Sequence, residues 1–125
     1  MSDNAGPSDV FREEAAELLE ELESSLIRLG DDPTHGESLN AAFRALHTIK
    51  GSGAMFDFTE LVDFAHRLEA SFVILRDRGG PVPDGIVDAG LAAVDLLRSM
   101  ITGGGRPGQR SALADSLDQR LRELV

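Results

Sequence analysis

The sequence predicts an all-α protein, an antiparallel up-down four-helix bundle with an additional C-terminal fifth helix. Three observations carry this expectation. Apolar residues recur at steps of three or four almost everywhere along the 125 residues, and no stretch alternates as a strand would. Clusters of glycine, proline and small polar residues break the pattern at Gly30–Gly36, Gly79–Pro83 and Gly103–Gly108. The segments between those breaks are similar in length and joined by short connections, which favours antiparallel neighbours.

Each helix has its own signals. Residues 1–8 are small and polar and are expected to be disordered, with Ser8 or Asp9 capping a first helix. Its stripe is Phe11, Ala15, Leu18, Leu22, Leu26 and Leu29, and Gly30 is the expected stop. A second helix starts near Glu37 or Ser38, with Leu39, Ala42, Phe43, Leu46 and Ile49 facing inward, and runs through Gly51 and Gly53 to about Met55. Two glycines inside a helix cost about 2 kcal/mol against alanine, so some other feature must offset or use them. Thr59 opens a third helix with Leu61, Ala65, Leu68, Phe72 and Leu75 on one face. Asp84 is the expected cap of a fourth, which carries Ile86, Val87, Leu91, Val94, Leu97 and Ile101. Residues 9–102 thus form the bundle, 103–109 a glycine-rich linker, and 110–125 a fifth helix with Leu113, Leu117, Leu121 and Leu124. His35 falls in a turn and is expected to be inert.

Composition narrows the function. Forty-two per cent of residues are hydrophobic, enough for a packed core, and there is no cysteine to form a disulfide or a thiolate metal site. The formal net charge of −10 disfavours nucleic acid and anionic membranes as partners. There is no run of membrane-span length and no signal-peptide pattern at the start, so a cytoplasmic location and a monomer are expected.

One segment stands apart: His47-Thr48-Ile49-Lys50-Gly51-Ser52-Gly53-Ala54-Met55-Phe56. At about 100° per residue His47 lies on the flank of its helix, and Lys50, the only lysine of the chain, follows one turn later on the same side. Gly51 and Gly53 remove side chains just beyond. An exposed imidazole can attack phosphorus through one nitrogen if a carboxylate or carbonyl holds the other as a donor. A nearby lysine stabilises phosphoryl oxygens, and bare backbone lets a second protein close over the ring. The third helix offers His66 and Glu69 at i, i+3, with Glu69 the candidate partner of His47 and His66 a further member of the polar cluster.

This segment, with Phe58 two residues on, resembles the signature of histidine-containing phosphotransfer (HPt) domains, in particular those at the N-terminus of CheA-type chemotaxis histidine kinases. The stretches Phe11 to Leu19, Leu39 to Leu46 and His66-Arg67-Leu68-Glu69 share the likeness, which spans roughly residues 9–102. The resemblance implies that His47 is the phosphorylated histidine, Lys50 its neighbouring lysine, Glu69 the acceptor of its hydrogen bond and His66 the companion histidine. Arg44, Thr48, Gly51, Ser52 and Gly53 are then the expected docking residues; Ser52 stands where many relatives have glycine. The implied partners are a kinase ATP-binding domain and a response-regulator receiver domain of the CheY or CheB kind. No Gly-x-x-x-x-Gly-Lys-Ser/Thr loop is present. ATP and magnesium are therefore expected on a separate kinase domain, with no cofactor here and the chain a relay from a larger kinase. A phosphorelay module of another hybrid sensor kinase is the near alternative. A metal-binding bundle using His47, His66, Glu69 and Asp63, or a docking bundle without chemistry, are the distant ones.

Overall fold

A computed structural model describes residues 6–125, which fold into five helices: α1 (Pro7–Asp31), α2 (Gly36–Met55), α3 (Thr59–Arg78), α4 (Ile86–Thr102) and α5 (Pro107–Leu124). Helices α1 to α4 each pack on the next, and α4 returns to α1, which closes a four-helix ring; α5 lies against α3 and α4. The all-α bundle with a fifth helix is the architecture expected from the sequence.

The helix starts differ from expectation where backbone chemistry overrides the cap residue. Pro7 occupies the first position of α1, where its fixed φ suits a helix and its missing N–H costs nothing. The Asp9 carboxylate reaches back to accept the Gly6 N–H at 3.1 Å, so Gly6, not Ser8 or Asp9, is the cap. Residues 7 and 8 are thus helical and Gly6 caps them, while residues 1–5 of the expected disordered stretch lie outside the described residues. Gly30 does not stop α1, which runs on to Asp31. His35 is not inert: its Nδ1 accepts the Ser38 N–H at 3.2 Å and caps α2. Asp84 does not cap α4; Gly85, with φ of 91°, takes that place because glycine enters the left-handed region without penalty. Pro107 starts α5, so residues 107–109 belong to that helix rather than to the linker.

The inward faces follow the expected stripes with small rotations. Leu19 rather than Leu18 is fully buried on α1, and Phe64 joins the α3 face. In α5 the expected Leu113 is half exposed, whereas Ala114, Asp118 and Leu121 are buried. Asp118 meets Arg67 of α3 at 3.6 Å across the helix pair, with Arg122 of its own helix at 3.1 Å as a further partner. A stripe read from apolar residues alone places that aspartate outside.

Two features set α2 against α3. Phe11 packs against Phe56 and Phe58 of the connecting turn, with ring centroids 5.6 and 4.8 Å apart. Gly53 is buried, and a Cβ there would lie 3.1 Å from Val62 and 3.6 Å from Phe11. Its bare backbone lets α3 approach closely. Each buried leucine or phenylalanine of this interior contributes about 1.5–3 kcal/mol, more than the polar contacts at the surface above it, so the core dictates where those polar groups meet.

Candidate functional site

The close α2–α3 pairing brings His47 and Glu69, 22 residues apart in the chain, to 3.0 Å through His47 Nδ1 and Glu69 Oε2. The His47 side chain is 65% exposed, while that of Glu69 is 12% exposed. The imidazole therefore stands in solvent with its inner nitrogen tied to a carboxylate at the helix interface. Lys50, one turn along α2 from His47, donates from Nζ to the other Glu69 oxygen at 2.8 Å. Burial works against the charge on Glu69, but the hydrogen bonds from Lys50 and His47 outweigh it and hold the carboxyl below its ordinary range. An ionised carboxylate is only an acceptor, so Nδ1 of His47 is the donor, and in the neutral imidazole Nε2 keeps the lone pair.

The face of the ring has a partner as well. Phe43, four residues earlier on α2, stacks on His47 with centroids 6.1 Å apart and planes 15° from parallel. The guanidinium carbon of Arg76 in α3 lies 4.5 Å from the Phe43 ring centroid. The sequence reading assigned Phe43 to the core and did not single out Arg76. The available signal was the i, i+4 spacing of Phe43 to His47.

The other expected residues fall around this centre. His66 is exposed on α3, one turn before Glu69, and the bonds to Glu69 come from His47 and Lys50 without it. It shares with Lys50, Phe58 and Val62 the wall of an open groove of about 550 Å³. Arg44 and Thr48 are exposed, and Gly51 is exposed with open space where a side chain would stand. Ser52 is half-buried, its hydroxyl donating to Glu14 at 3.3 Å. Gly53 faces Val62 and Phe11 instead of solvent, so its part is helix packing and not the docking expected of it. Met55, 78% exposed, ends α2 beyond the glycines. Among the described residues, no group of three or more His, Cys, Asp or Glu side chains is arranged to hold a metal ion, and no helix is long and apolar enough to cross a membrane.

Comparison with known proteins identifies the family. The sequence model of the Hpt domain family matches residues 8–124. The chain is 39% identical over 92 residues to the chemotaxis protein CheA of Borreliella burgdorferi, covering 74% of this chain and 11% of that protein. It is 31% identical over 130 residues to CheA of Treponema pallidum, covering 100% of this chain and 16% of that protein. It thus spans a small fraction of the curated relatives it matches. Among solved structures, the phosphorylated P1 domain of CheA3 in complex with CheY6 from R. sphaeroides superposes with a TM-score of 0.79 at 26% identity, covering 95% of this chain and 98% of that one. Fold, sequence and the helix-flank histidine agree: the chain belongs to the Hpt domain family.

Proposed function

We propose that this chain is the phosphotransfer domain of a CheA-type histidine kinase acting in cytoplasmic chemotaxis signalling, with His47 as its phosphohistidine. The observation that carries the reading is a ring 65% exposed whose Nδ1 is held by Glu69 at 3.0 Å, leaving Nε2 free toward solvent. A separate kinase domain, holding ATP and magnesium, presents the γ-phosphorus to Nε2. The Nε2–P bond forms as the bond from phosphorus to the ADP oxygen breaks, and ADP departs with that electron pair. Nδ1 keeps its proton throughout, and the Glu69 carboxylate stabilises positive charge as it develops on the ring. A receiver-domain aspartate then attacks phosphorus, the N–P bond breaks, and its electrons return to Nε2.

Lys50 serves this step first through Glu69, which it helps to keep ionised, and second as a positive charge beside the arriving phosphoryl oxygens. His66 stands at the rim of the site. Arg44, Thr48, Gly51 and Ser52 form the docking face, continued by the exposed side chain of Met55. The R. sphaeroides relative, a phosphorylated P1 domain complexed with CheY6, supports both the modification and a receiver partner.

The test is incubation of the chain with a CheA kinase domain and ATP, followed by addition of a CheY-type receiver. The reading expects acid-labile, base-stable phosphate on the wild type, its transfer to the receiver, and none on His47→Gln. Labelling of that variant at the wild-type rate would overturn it.

A further inference from the structure

We infer that Phe43, steadied by Arg76, is a positioning residue that fixes the direction of the His47 Nε2 lone pair. The inference rests on the phosphotransfer reading above for its consequence, but not for its geometry.

A single hydrogen bond does not orient an imidazole. The Nδ1 contact with Glu69 fixes one ring atom, and the plane can still swing about the line through that contact and Cβ. His47 is 65% exposed, so little of the core restrains that swing. The near-parallel Phe43 ring, its centroid 6.1 Å away and within the usual range for paired rings of about 4.5–7 Å, hinders that swing on one side. Phe43 is only half-buried and needs a restraint of its own. Arg76 provides one across the helix pair, its guanidinium 4.5 Å from the ring centroid. Glu69 thus selects the tautomer, and the Phe43–Arg76 pair selects the angle. In-line attack on phosphorus depends on that angle, because a nucleophile misplaced by about 1 Å can cost up to roughly 100-fold in rate.

The test uses the whole chain and phosphoramidate, a donor too small to need a docking surface. Phe43→Leu keeps an apolar side chain without the flat face, and Phe43→Tyr restores the ring. Ring order at His47 is read from ¹³C relaxation of its Cε1–H, the tautomer from ¹⁵N shifts, and the fold from circular dichroism. Phe43→Leu is expected to loosen the His47 ring, to leave the proton on Nδ1 because Glu69 is untouched, and to slow phosphorylation about tenfold; Phe43→Tyr is expected to recover both. Should Phe43→Leu fail to fold, Arg76→Ala, at an exposed position, is expected to give a smaller loss of ring order and rate in the same direction. Wild-type ring order in a folded Phe43→Leu chain overturns the inference, and so does a loosened ring that reacts at the wild-type rate. A wild-type chain that takes no phosphoryl group at all defeats the phosphotransfer reading, while the ring-order measurement still decides whether Phe43 orients His47.

Discussion

Replacing Glu69 by alanine separates the chemistry of the site from its stability. The substitution removes two charge-assisted hydrogen bonds, one from His47 at 3.0 Å and one from Lys50 at 2.8 Å. Such bonds contribute about 1.5–3 kcal/mol each when their partners stay dry. Here the side chains of His47 and Lys50 are 65% and 25% exposed and regain water, and the cost of holding the carboxylate at the interface is also removed. The expected loss of stability is therefore about 1–2 kcal/mol, too little to unfold a bundle with this core. The kinetic loss is larger relative to its source. Without the carboxylate the proton is free to sit on Nε2, the nitrogen that must attack, and the charge developing on the ring has no counterion. A loss of about 1.5–3 kcal/mol of transition-state stabilisation corresponds to roughly 10- to 100-fold in rate. The assay is the initial rate of acid-labile phosphate incorporation at saturating kinase domain and ATP, with urea unfolding run in parallel. A folded Glu69→Ala chain labelled within about twofold of the wild-type rate would remove Glu69 from the mechanism.

Other substitutions probe the remaining parts. His47→Gln loses one hydrogen bond from an exposed position, so urea unfolding is expected to show near wild-type stability while phosphate uptake is abolished. Lys50→Ala is expected to slow labelling about threefold to tenfold, through a less firmly ionised Glu69 and a lost charge at the phosphoryl group, and unaltered rates return Lys50 to an ordinary surface charge. Gly51→Ala adds a methyl group in open space and is expected to stabilise α2 by about 0.5–1 kcal/mol. Gly53→Val presses on Val62 and is expected to destabilise by about 1–3 kcal/mol, both changes being read from urea midpoints. The folded-state pKa of Glu69 lies below its ordinary value of 4.5, so its contribution to stability is present above that pH and is lost as the pH falls through the lowered value. The stability gap between wild type and Glu69→Gln should accordingly narrow in acid, and a gap that is constant with pH contradicts the sign.

Much of this was legible because the bundle obeys one periodicity. The stripes from Phe11 to Ile101 announce four packed helices, and the i, i+3 spacings of His47 to Lys50 and His66 to Glu69 place each pair on one side of its helix. The pairing of His47 with Glu69 was also foreseeable, because antiparallel neighbours with those stripes have few ways to face each other. Part of what escaped depends on contacts that cross elements. Asp118 reads as a surface residue until Arg67 of the third helix is placed against it, while Leu121 stays buried and Leu117 and Leu124 still pack on the core. Gly53 reads as part of a bare docking surface until Val62 of the third helix is placed against it. His35 reads as an idle turn residue until its Nδ1 is seen to cap α2, and Phe43 as core until its ring is seen beside His47. Helical phase alone does not carry the first three, since each is decided by a partner from another element or by a local backbone hydrogen bond, whereas the i, i+4 spacing of Phe43 to His47 was there to be read.

The central claim is that Glu69 holds one nitrogen of His47 so that the other reacts. Phosphorus–nitrogen coupling measured by NMR on the phosphorylated, ¹⁵N-labelled chain addresses it directly. The account predicts phosphorus bonded to Nε2 of His47, with Nδ1 still bearing its proton and its bond to Glu69. Phosphorus on Nδ1, or on any residue other than His47, contradicts it.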